Sequence, residues 1–315
     1  MALTFAASPR TQPPEVTTRS RGRRGRALRR TATGWAFAGP ATLLVVGLSI
    51  FPAVWAFFIS RTRWNGIAPA RDVGWRNYER LLSDPDMAAA ARHTLVLTAL
   101  FVPASILLGI LIAVALNQRI RLIGFYRTCI FVPYVASAAA TGILASFVFN
   151  PQFGAANEVL RRLGLPAQQF LESPSQALVV ICVIALWGEV GFTTVVYLAA
   201  LQDIPQELIE AARMDGAGSW RVFRHVTLPE LRPVTVFTAI WQTITAMQLF
   251  DLIYTTTRGG PLNSTQTVVY YIYELAFQTQ RLGYGAAAAY LLFAVTMLLS
   301  LAVIWYSRRR GSEAF

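Results

Sequence analysis

The chain has 315 residues, 55% of them hydrophobic and only 14% charged, with a formal net charge of +12. That balance is too apolar for a soluble domain of this length and points to a membrane protein. All 28 basic residues are arginine, so the lysine that a phosphate-cradling G-x-x-x-x-G-K-[ST] loop or a Schiff base requires is missing, and those chemistries are excluded.

Residues 1–34 form a basic tail carrying Arg10, Arg19, Arg21, Arg23, Arg24, Arg26, Arg29 and Arg30. The tail resembles the start of a signal peptide, but the apolar run behind it is too long and has no small-x-small cleavage site before Arg61, so a retained first span is expected. The tail is expected to fix topology and touch anionic lipid. Its arginines, like the others, flank apolar runs rather than form a patch on a soluble fold, so no nucleic acid partner is expected.

Six apolar runs then follow, at 35–59, 93–116, 125–149, 177–200, 233–255 and 286–307. Each approaches the roughly 20 residues that cross a ~30 Å hydrocarbon layer as a helix. Backbone groups in hydrocarbon need internal partners, so the spans are expected to be helices, with Pro40, Pro52, Pro103 and Pro133 kinking them. An outer loop covers 60–92, a core with five further spans covers 93–307, and a short tail covers 308–315. With both termini cytoplasmic, 18 of the 28 arginines fall on the inner side, as the positive-inside rule requires. The fold class expected is an all-α polytopic membrane protein in the plasma membrane.

The loop at 201–232 carries charge on nearly every turn, in ELIEAARMDGAGSWRVFRHVTLPEL. Asp203 suits a cap, Pro205 a first helical turn, Glu207 and Glu210 the positive end of a helix and Arg213 the negative end. Gly216 suits the left-handed residue that stops a helix. A second helix follows, with Ser219 as cap, Trp220, Phe223 and Val226 on one face, and Pro229 near its end. A helix-turn-helix that reads DNA has this outline, but the unit is tethered at both ends to membrane spans and cannot enter a groove. Two readings remain: a connector whose apolar face lies on neighbouring helices, or a rigid cytoplasmic docking site for a protein.

Glu210-Ala211-Ala212, Gly216 and Val226-x-Leu228-Pro229 resemble the EAA loop of permease subunits in binding-protein-dependent ABC importers, with Val226 where isoleucine is usual. The outer segment GWRNYERLLSDPDMAAAARHTLVLT and the stretch FDLIYTTTRGGPLNSTQTVVYYIYELAF resemble the first permease of maltose, lactose and glycerol-3-phosphate systems, with Arg258 in place of a common glycine and His93-Thr94 in place of Asn-Thr. The resemblance implies a type I ABC importer permease fold with six transmembrane helices. It implies a heterodimer with a second permease subunit, an ATPase dimer that docks on the loop and holds ATP-Mg, and an extracellular solute-binding protein that delivers a sugar or related solute. This chain would bind no cofactor itself and have no catalytic residue.

Polar residues inside spans are costly and ask for a reason. Glu189 in the fourth span reads either as a carboxylate lining the route or relaying protons, or as a neutralised group packed against a helix. For Asp251, near the outer end of the fifth span, an interfacial position is favoured. Trp241, Thr245 and Gln248 recur at helical spacing and read either as a solute-lining stripe or as interhelical contacts. Cys129 and Cys182 read as small hydrophobes, and His93 and His225 fall on opposite sides, so no metal site is expected. A proton-coupled secondary transporter using Glu189 is the alternative, though the halves show no inverted repeat. An intramembrane enzyme lacks a nucleophile and base pair.

Overall fold

The computed structural model describes residues 35–118 and 121–309. The basic tail, Arg119 and residues 310–315 lie outside the described residues. The chain divides into two compact units at Trp55 and Ala56. The described part of the first is helical, and Leu43, Leu48 and Phe51 on it are exposed. The helix it belongs to, α1 (Trp35–Ser60), is long and apolar enough to cross a membrane.

In the second unit, a short antiparallel hairpin follows α1: β1 (Thr62–Arg63) and β2 (Arg71–Asp72), with Thr62 opposite Asp72 and Arg63 opposite Arg71. Asn77, on helix α2 (Arg76–Leu82), donates from Nδ2 to the carbonyls of Ser60 and Thr62 at 2.8 and 2.9 Å. That amide pins the hairpin to the end of α1.

Helix α3 (Pro85–Leu116) begins well before the apolar run, because Asp84 caps it and Pro85 occupies its first turn. Its 32 residues span ~48 Å at ~1.5 Å each, so the first two turns stand clear of the hydrocarbon. Helix α7 (Ala177–Asp203) packs along α3. The approach is close at Gly109, where a Cβ would collide with Thr193; α7 meets α4 (Ile123–Val135) as closely at Gly191, where a Cβ would stand 2.5 Å from the Ile130 carbonyl oxygen. Small residues let membrane helices meet in this way.

The third expected span is not one helix. It consists of α4 (Ile123–Val135) and α5 (Ala138–Val148), bent by 98°. Pro133 lies in the last turn of α4, and Ala136 and Ser137 are extended (ψ 144° and 129°). The fifth is also interrupted: α10 (Arg232–Met247) stops at Gln248, and α11 (Asp251–Thr255) restarts after Phe250. The short helix α6 (Ala155–Arg162) follows α5, α8 and α9 lie between α7 and α10, and α12 (Val268–Tyr273) precedes the last span, α13 (Leu282–Arg309). Among the described residues the architecture is therefore four unbroken long apolar helices and two interrupted spans.

Three apolar clusters hold the second unit. One joins Leu97, Phe101, Ile181, Ile184 and Ile253. One joins Leu81, Met87, Tyr271 and Tyr284 at the hairpin end. The third joins Ile110, Ala113, Tyr197, Leu201 and Leu231 at the opposite end.

Candidate functional site: a membrane cavity and a protruding loop

The bend between α4 and α5 opens a cavity of about 170 Å³ whose lining includes Phe101, Pro133, Tyr134, Thr141, Glu189 and Thr245. The extended pair Ala136-Ser137 withdraws backbone from the space a straight helix would fill. Gly188, the residue before Glu189, also lines the cavity, and a Cβ there would meet open space. Glu189 Oε2 is buried without a hydrogen-bond partner among the described residues. A carboxylate oxygen so placed is a vacant acceptor for a hydroxyl-rich or cationic guest.

Of the expected stripe, Thr245 lines this cavity with Glu189, and Trp241 does not. Trp241 reaches it through rings: its centroid lies 5.4 Å from Phe192, which lies 5.4 Å from Tyr134. Gln248 stands apart, exposed at the position that ends α10. Tyr134, Thr141 and Phe192 belong to this region but were not expected. The only sequence signal for Tyr134 was the adjacent Pro133, and the aromatic row joins three helices distant in sequence.

The other polar residues of the fifth span divide in the same physical terms. Gln242 is fully buried, and its Nε2 donates to Thr193 Oγ1 at 2.5 Å; that oxygen also lies 3.0 Å from Ser105 Oγ. These three side chains tie α10, α7 and α3 together, an interhelical contact rather than a lining.

The loop between α7 and α10 is a helical protrusion. Helix α8 (Gln206–Met214) carries Glu210, Ala211 and Ala212. Asp203 is the last residue of α7 rather than a cap, and Pro205 is the cap position of α8. At its other end Gly216 is left-handed (φ 75°), its N–H donates to Arg213 O at 3.0 Å and that of Ala217 to Ala212 O at 3.0 Å. This pair of bonds closes a helix and needs a residue without a Cβ penalty at Gly216. The next helix, α9 (219–230), has Gly218 rather than Ser219 at its cap, widens to a π turn over Phe223–Thr227, and runs through Val226, Leu228 and Pro229. Pro229 lies in its last turn, and Leu231 alone separates it from α10.

One face of this unit is packed and the other is exposed. Ile209, Phe223 and Leu231 pack on the ends of α3 and α7, and Tyr197 Oη donates to Thr235 Oγ1 at 3.1 Å just behind them. Glu210, Ala211 and Gly216 are exposed on the other side, as are Met214 at 83% and Trp220 at 70%, with Trp220 stacked on Phe223 at 5.7 Å. The connector and the docking readings thus describe opposite faces of one body.

Fold and site together define a polytopic membrane subunit that surrounds a small, mostly apolar cavity holding Glu189 and presents a braced helical protrusion. Residues 105–311 match the family described as binding-protein-dependent transport system inner membrane component. The chain is 34% identical over 283 residues to the lactose transport system permease protein LacF of Rhizobium radiobacter, covering 88% of this chain and 94% of that protein. It is 34% identical over 264 residues to the sulfoquinovosyl glycerol transport system permease protein SmoG of Agrobacterium fabrum, covering 83% and 85%. A bacterial alginate ABC transporter crystallised with its alginate pentasaccharide-bound periplasmic protein superposes with a TM-score of 0.80 at 23% identity, over 90% of this chain and 96% of that one. The chain belongs to the binding-protein-dependent transport system inner membrane component family, and it is a multi-pass permease subunit with the type I ABC importer fold.

Proposed function

We propose that the chain is one half of a heterodimeric permease that carries a sugar or related polar solute, delivered by an extracellular binding protein, with power supplied by a separate ATPase dimer holding ATP-Mg. The observation that carries this reading is the protrusion, whose exposed Met214 and Trp220 lie on the same short helical unit as the exposed charges Glu207, Glu210, Asp215 and Arg221. Apolar side chains held rigidly on one body with charged ones are what a protein partner grips. Glu210, Ala211, Ala212, Gly216, Val226, Leu228 and Pro229 form the docking body. The absence of lysine supports borrowing the ATPase from another chain. Both termini are on the cytoplasmic side in this reading.

Closure of the ATPase dimer would displace the docked α8–α9 body, and Leu231 and Tyr197 would pass the shift to α3, α7 and α10. The cavity at Glu189 and Thr245, beside the bend of α4 and α5, is where that shift would change access. The relatives named for lactose and sulfoquinovosyl glycerol support a hydroxyl-rich solute. Such a solute would hydrogen-bond Glu189 and Thr245 and stack on Tyr134. Purification of the chain from its native membrane should bring with it an ATPase, a second permease and a binding protein; recovery of the chain alone, active in uptake, would contradict the proposal.

A further inference from the structure

The hollow between the hairpin and the start of α13 is lined by four arginines, and nothing in the translocation reading uses it. It encloses about 380 Å³, and its wall includes Arg63, Arg71, Arg80, Arg281, Trp64 and Tyr284. We propose that it binds the phosphate of an anionic phospholipid headgroup.

Charge is the first argument. The register sets Arg63 directly opposite Arg71, a like-charge pair that destabilises a ladder unless something compensates it. Among the described residues the ion pairs are those of Glu158 with Arg161 and Arg162, so none of the four arginines of the hollow is neutralised. The carboxylate that reaches this wall through Tyr284 is Asp84. It already accepts hydrogen bonds from Tyr271, Tyr284 and the amides of Asp86 and Met87. A phosphate would supply the missing negative charge, with guanidinium groups able to meet two of its oxygens at once.

Depth is the second argument. Helix α1 ends at Ser60 and α13 begins at Leu282, so Arg63 and Arg281 sit within a turn of where two spans leave the hydrocarbon, the level of lipid phosphates. Trp64 and Tyr284 are the amphipathic rings that favour that level. Arg281 lies over the Tyr284 ring at 4.4 Å, which orients its guanidinium along the wall. The hollow is also built before any ligand arrives: Asn77 fixes both sides of β1's start, and the Gly283 amide donates to Trp64 O at 3.2 Å.

The test uses the purified full chain in a neutral detergent, titrated with phosphatidylglycerol, with phosphatidylcholine, and with inorganic phosphate, and followed by native mass spectrometry and thermal unfolding. Phosphatidylglycerol should be retained and should raise the unfolding temperature. The double variant Arg63→Gln/Arg71→Gln and the single variant Arg281→Gln should each weaken retention about tenfold or more, while Arg161→Gln/Arg162→Gln leaves it unchanged. The Gln variants replace exposed side chains, and their unliganded unfolding temperature, equal to or above that of the parent, shows that they are folded. Equal retention of phosphatidylglycerol by parent and hollow variants overturns the proposal, as does an equal loss in the Arg161/Arg162 control or equal retention of phosphatidylcholine. Displacement of the lipid by millimolar inorganic phosphate would assign the hollow to a free oxyanion instead and also overturn it.

Discussion

The Tyr284 hydroxyl donates to Asp84 Oδ2 at 2.6 Å, joining positions 200 apart in the chain. The same oxygen accepts from Tyr271 at 2.9 Å, and Oδ1 caps α3 through the Asp86 amide at 3.0 Å. One carboxylate therefore ties the start of α3 to α12 and α13. Burial works to raise its pKa, but the bonds from Tyr284, Tyr271 and the two amides outweigh it and hold the carboxyl below its ordinary value.

A group whose folded pKa is depressed contributes stability above its unfolded pKa and loses it as pH falls through the folded value. The Asp84 contribution should be complete above about pH 4 and disappear on acidification below it. Asp84→Ala should lower stability at neutral pH by about 2–3 kcal/mol and flatten the acid limb of a plot of unfolding temperature against pH. An unchanged acid limb would contradict this account.

Helices α4 and α7 meet where Gly191 faces the Ile130 carbonyl, with room for no further carbon. Gly191→Ala should cost about 1–3 kcal/mol, the range for overpacking, whereas an alanine at Gly188, which faces open space, should be tolerated. Thermal unfolding of the two variants side by side provides the comparison.

Arg258 keeps the left-handed backbone (φ 49°) at the end of α11, its amide donating to Ile253 O at 2.8 Å. The arginine adopts a conformation that suits glycine, at a cost of roughly 1–2 kcal/mol. Arg258→Gly should therefore raise stability by up to about 1 kcal/mol, after the entropy of the added glycine. A loss of stability would show that the Arg258 side chain has a role of its own.

How far these features can be read from the sequence depends on how local their causes are. The apolar runs were legible because hydropathy over about 20 residues is a property of composition. Gly216 was legible because a stop signal after EAARMD needs only its neighbours. The bend after Val135 was legible only as a kink at Pro133; its 98° size was not, since FVPYVASAAATG stays apolar throughout. The early start of α3 was hidden because Arg92 and His93 separate Met87–Ala91 from the longer apolar run, although Asp84-Pro85 is a strong helix start. The row Trp241, Phe192, Tyr134 and the contact of Gln242 with Thr193 arise between helices distant in the chain, where no periodicity within one helix can show them.

Glu189 separates the two transport readings. If it serves the solute as a hydrogen-bonding wall, Glu189→Gln should keep ATP-dependent uptake, and Glu189→Leu should lower it about tenfold or more by leaving the guest unpaired. Uptake that vanishes in Glu189→Gln and collapses in the parent with an uncoupler would favour proton coupling instead.

The central claim is that residues 206–230 transmit the ATPase cycle to the spans, and coupled transport in reconstituted vesicles tests it most directly. Gly216→Pro replaces a φ of 75° by one near −65° and removes the amide bonded to Arg213 O, and Glu210→Ala removes an exposed charge without touching the core. With the partner ATPase present, both variants should insert and fold, yet solute uptake per ATP hydrolysed should fall by about tenfold or more, the scale of a typical coupling energy. Unchanged uptake per ATP in both variants would contradict the account.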